Sequence, residues 1–126
     1  MDDDELNRLY ACALAWTAAP APAIDAVRST MRGRPGRIAR LRALRAACRH
    51  HRPGASLAEL PQPLATLATL DPQVRDAAVV TDVAGLSPES GAKVLGVPAA
   101  TVAARAECAR VAVAVAHARA SVPAPC

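Results

Sequence analysis

Apolar residues recur at helical spacing from near the start of the chain. Over 4–18, Leu6, Leu9, Tyr10, Ala13, Leu14 and Thr17 follow the i, i+3, i+4 rhythm of an amphipathic helix. Asp2, Asp3, Asp4 and Glu5 lie at its start, where carboxylates suit the positive end of the helix dipole. Pro20-Ala21-Pro22 is expected to stop it. A short helix with Ile24, Val27 and Met31 on one face is expected next, ended by Gly33, Pro35 and Gly36. Residues 36–51 then carry an apolar stripe, Ile38, Leu41, Leu44 and Cys48, beside a positive one, Arg42, Arg45 and Arg49. Arg52-Pro53-Gly54 breaks this third helix and opens a linker over 53–60.

The second half predicts four helices with clear punctuation. The first spans about 61–69, with Leu64 and Leu67. Asp71-Pro72 places a capping carboxylate before a proline at the first helical position, and the helix behind it runs through Val74, Ala77, Ala78 and Val83 to Gly85. Ser87-Pro88 repeats that signal ahead of a very short helix whose Ala92 and Leu95 are expected to face inward. Gly96-Val97-Pro98 makes a tight turn, and a long helix follows over about 99–119. The pattern thus predicts an all-α protein: short N-terminal helices over 1–52, a linker over 53–60, a four-helix unit over 61–120 and a tail over 121–126.

Composition adjusts this picture in two ways. Of the 126 residues 32 are alanine, with no Phe, one Trp and one Tyr, so the helices are favoured but the core is thin. The charge is strongly segregated. Residues 1–27 carry five acids and one Arg, whereas 28–52 carry nine Arg and no acid. A basic block of that density suits a polyanion or an acidic protein surface; a solvated face, or neutralisation by the acidic start of the same chain, is the structural alternative. Prolines interrupt the charge-free stretches, so no membrane span fits. The acidic start argues against a secretory signal, which leaves the cytoplasm as the expected compartment.

Chemistry-bearing clusters are sparse. The cysteines at 12, 48, 108 and 126 form no C-x-x-C and read as reduced thiols. Cys48 with His50 and His51 is the one local Cys/His group, short of the four ligands a zinc site wants, so neither metal nor cofactor is expected. Carboxylates are scattered, no glycine-rich phosphate loop occurs and His117 stands alone on the last helix, so no catalytic constellation, and hence no enzyme, is expected.

The span 86–110, LSPESGAKVLGVPAATVAARAECAR, has the layout of a helix-turn-helix. Two helices that cross closely need a small residue at the first contact, here Ala92. The turn favours glycine, here Gly96, and an apolar residue, here Val102, locks the second helix onto the first. Residues 67–110 resemble region 4 of the bacterial sigma-70 family, nearest its extracytoplasmic-function group. The resemblance rests on Leu70, Arg75, Gly85, Leu86, Ser87, Ala92, Leu95, Gly96, Val97, Pro98, Thr101, Val102, Arg105, Ala109 and Arg110, about a third of the chain. More weakly, AIDAVRSTM and GRIARLRALRAACRHHR resemble helices of region 2, which is shortened here.

The resemblance implies a transcription-initiation protein that binds promoter DNA and core RNA polymerase, with an anti-sigma or other protein partner as a further class. It implies DNA contacts from Thr101, Arg105 and Arg110, and polymerase contacts from Asp25 and from Arg28, which replaces the family's Gln. The charge pattern adds Arg42, Arg45 and Arg49 as phosphate-binding candidates. The groove-facing positions of the second helix are Ala99, Ala100, Ala103 and Ala104, followed by Glu107. Alanine makes no bidentate hydrogen bond to a base, so weak sequence reading is expected. The alternative function is a degenerate sigma-like module that binds a protein through the long helix, where Val111, Val113 and Val115 spread around an alanine surface.

Overall fold

The structure is a computed structural model that describes residues 3–31, 36–49 and 64–121. Among them all regular structure is helical: α1 (Asp3–Thr17), α2 (Pro20–Thr30), α3 (Arg37–Cys48), α4 (Leu64–Thr69), α5 (Pro72–Ala78), α6 (Pro88–Leu95) and α7 (Ala99–Ser121). A single π turn, Val79–Val83, extends α5. The expected linker at 53–60 and the tail from 122 lie outside the described residues, as do His50 and His51. No described helix is long and apolar enough to cross a membrane.

The first three helices pack as the sequence period requires. Leu9, Cys12, Ala13 and Trp16 of α1 face Leu41, Leu44 and Cys48 of α3, all buried. The expected stripe on α2 is shifted: Ala23, Ala26, Val27 and Thr30 are buried, while Ile24 and Met31 are 41% and 44% exposed. Small side chains therefore set the α2 contact, because alanine lets two helix backbones approach closely. Proline punctuation also differs from expectation. Ala18, at φ +58°, ends α1, its N–H donating to the carbonyl of Leu14. Pro20 then starts α2, because its fixed φ and missing N–H suit the first turn.

Both expected caps in the second half form. The Asp71 carboxylate accepts from the N–H of Gln73, and the Ser87 hydroxyl from that of Ser90. Behind α5 the backbone widens: Ala84 N–H reaches back five residues to the carbonyl of Val79 at 2.8 Å. The π turn carries three consecutive residues, Val79, Val80 and Thr81, into the interior. Buried threonines at 17, 30 and 81 each donate to the carbonyl four residues earlier, at 2.8 Å, so that no hydroxyl is stranded.

One core joins the two halves. Leu9, Cys12, Trp16, Leu41 and Leu44 share it with Ala77, Val79, Val80, Val94, Val102 and Ala106. A smaller cluster of Leu67, Ala78 and Ala109 lies under α4, with Leu70, Val74 and Val113 against it.

Candidate nucleic-acid interface

The hairpin of α6 and α7 is built around two glycines. Gly96 follows α6 at φ +71°, a left-handed conformation open to glycine at little cost, and its N–H donates to the carbonyl of Ala92. Gly91 lies where the helices touch. A Cβ there would stand 3.1 Å from Val80 Cγ2 and 3.3 Å from Val102 Cγ1. The close contact falls on Gly91 rather than on Ala92, which is half-buried together with Leu95, while Val94 takes the inward position between them. Val102 is fully buried and locks α7 onto α6, as expected of that residue.

The exposed start of α7 presents Ala100, Ala103, Ala104, Glu107 and Cys108. Thr101 and Arg105 are half-buried beside them. Arg110 is exposed but engaged: its guanidinium donates to both oxygens of Asp82, with a closest approach of 2.9 Å, and to Glu107 at 3.1 Å. These hydrogen bonds, first to Asp82 and then to Glu107, raise the pKa of a group that is cationic in any case. A phosphate would have to displace two carboxylates that already hold this charge.

The three arginines expected to act as one basic stripe have three different environments. Arg42 Nε donates to the carbonyl of Lys93 at 2.6 Å, on the last turn of α6. Arg45 donates through Nε and Nη2 to Asp76 Oδ2, at 3.1 and 2.9 Å. Arg49, just past α3, is exposed and has no partner among the described residues. Elsewhere on α3, Arg37 and Arg40 reach Glu5 of α1 at 3.2 and 3.9 Å. The basic helix is therefore neutralised in part by carboxylates of its own chain.

Asp25 and Arg28 are both exposed on α2. Arg28 borders an open groove between α1 and α2 together with Leu6, Tyr10, Ile24, Val27 and Met31. Cys48 is buried; desolvation pushes its thiol up to about 11, so it stays protonated at neutral pH.

Sequence reasoning missed Asp76, whose carboxylate also accepts from Trp16 Nε1 at 2.8 Å. The signal available was the lone tryptophan, because a buried indole N–H usually finds an acceptor. Gly91 was also missed as a contact residue; a glycine inside a capped helix is itself a sign of close approach. Comparison of the chain with protein-family models, curated proteins and solved structures finds no match. The likeness to sigma factors rests on the residues quoted above.

Proposed function

We propose that the chain is a sigma-like transcription-initiation protein of the cytoplasm. In this reading α6 and α7 dock on promoter DNA, and the exposed Asp25 and Arg28 of α2 meet core RNA polymerase. The observation that carries the reading is the α6–Gly96–α7 hairpin: a capped first helix, a three-residue turn at a left-handed glycine, and a second helix locked through Val102. Binding is led by phosphates. The groove-facing start of α7 offers methyl groups where base-specific contacts need hydrogen-bonding side chains. Arg105 and Arg49, with no side-chain partner among the described residues, are the cations best placed to reach the backbone, and the exposed Arg110 joins them once a phosphate displaces Asp82 and Glu107. About three phosphate contacts give a slope of log affinity against log salt of roughly −3.

Electrophoretic mobility of the full chain with promoter-length duplexes, across a salt series, tests the first arm. Run-off transcription with core polymerase tests the second. Binding of neither partner at low salt overturns the proposal.

A second reading is favoured by a specific observation. Val111 and Val115 of α7 are 54% and 43% exposed, on a helix whose start carries alanines. In this reading the fold is retained as a protein-interaction module without sequence-specific DNA binding. Salt separates the two: with three phosphate contacts, affinity for nucleic acid falls about 40-fold between 50 and 200 mM salt, and an apolar protein contact does not weaken in that way.

A further inference from the structure

The junction of α1, α3 and α5 forms a half-open cavity of about 190 Å³, lined among the described residues by Trp16, Arg45, Cys48, Arg49, Pro72, Arg75 and Asp76. That volume is far above the ~15 Å³ that a single water needs. Three guanidinium groups border it and one carboxylate, so its lining carries a net positive charge. The carboxylate is already engaged at both oxygens: Asp76 accepts from Trp16 through one oxygen and from Arg45 through the other. The cations are less fully engaged. Arg75 donates one bond, from Nη1 to the carbonyl of Ala68 at 3.2 Å, and its Nε is buried with no acceptor. Arg49 has no partner among the described residues.

A buried guanidinium N–H without an acceptor is costly, and a second free guanidinium at the same cavity adds repulsion. A small anion would offset the positive charge of the lining and give acceptors to Arg49 and to the Nη groups of Arg75. The geometry points to a binding pocket for a small tetrahedral oxyanion of the phosphoryl class, held by Arg49 and Arg75 with Arg45 as a third cation. Arginine suits this guest because its planar fork matches two oxygens at once. None of the lining residues comes from α6 or α7, so the pocket is separate from the candidate DNA-reading hairpin.

The test uses the full chain and inorganic phosphate, titrated calorimetrically at constant ionic strength set by chloride. Emission from Trp16, the only tryptophan, serves as a local reporter because its indole lines the cavity and bonds Asp76. The expected result is saturable binding with a Kd of about 1 mM or tighter, weakened about tenfold in Arg49→Gln by loss of a charge-assisted bond. Arg119→Gln, exposed at the far end of α7, should leave phosphate affinity unchanged. Arg49 is exposed at a helix end, so its variant is expected to keep the far-ultraviolet dichroism of the parent. A nucleoside 5′-monophosphate forms a second arm. Tighter binding than phosphate assigns a phosphorylated metabolite as the source, and equal or weaker binding assigns free phosphate. No saturable heat up to about 20 mM phosphate, or equal affinity in Arg49→Gln, overturns the inference.

Discussion

The junction of α1, α3 and α5 and the hairpin of α6 and α7 hold the fold by different physical means. At the junction, Asp76 takes hydrogen bonds from an indole and a guanidinium, beside a charged cavity and two buried thiols. The hairpin is apolar at its contact, where Val80 and Val102 close tightly over a glycine and even a Cβ would press on both. Its charges lie outside, in the exposed Arg110–Asp82–Glu107 cluster. The two ion pairs show the contrast. Arg45–Asp76 and Arg110–Asp82 are both 2.9 Å long, yet the carboxylate side chains are 17% and 37% exposed. Equal length does not mean equal worth, because solvent screens the second pair and the first is tied into the core.

The largest effect that would sharpen this contrast is alkaline. Burial, then the neighbouring Cys48, pushes the Cys12 thiol up to about 12, and burial pushes Cys48 up to about 11. Both lie above the ~8.5 of a free thiol, so the folded state holds protons that the unfolded state has lost. Stability is therefore whole below pH ~8.5 and falls through the window up to about 11, by about 1.4 kcal/mol per pH unit for each thiol. Urea unfolding of the parent and Cys48→Ala at several pH values checks this: the variant should lose roughly half the slope. Over that window iodoacetamide should label exposed Cys108 at once and leave Cys12 and Cys48 unlabelled until the chain unfolds.

Next in size is the hairpin. Gly91→Ile should destabilise by about 3 kcal/mol, since its side chain would have to push aside the buried Val80 and Val102, which already stand 3.1 and 3.3 Å from where a Cβ would lie. Thermal unfolding measures it, and a neutral outcome would break the view that this contact is shape-limited. Asp76→Ala should cost about 2 kcal/mol, because it strands the Trp16 N–H and leaves Arg45 half-buried without its acceptor. Asp76→Asn should recover part of that loss and separate hydrogen bonding from charge.

Smallest is the surface cluster. Arg110→Gln should leave the unfolding midpoint unchanged, as expected of an exposed pair. If the chain binds DNA as proposed, the same variant should reduce the salt slope of binding by about one. A large loss of stability in Arg110→Gln would erase the distinction between the two clusters.

Local structure was readable where it depends on near neighbours. The caps at Asp71 and Ser87, the turn at Gly96 and the stripe of Leu41, Leu44 and Cys48 each follow from residues within a turn or two of one another. The outward position of Ile24 and Met31 was not readable, because which face of α2 is buried depends on alanines that a hydropathy pattern ranks low. The candidate interface was legible as a hairpin and not as a charged surface. The spacing of Arg42, Arg45 and Arg49 gave one stripe, but their partners, Lys93 and Asp76, lie 51 and 31 residues away.

The chain's sequence by itself determined that the protein is helical, where most of its helices end, and that a tight, glycine-turned hairpin forms near its C-terminal end. These follow from propensity, capping and period, all of which act over a few residues. Only the tertiary structure decided which of the described arginines find acceptors, that Asp76 knits α1, α3 and α5 together, and that Val80 and Val102 press close on Gly91. Those outcomes depend on groups brought together from distant parts of the chain. Charge pairing and close packing act through space, and no local pattern encodes them.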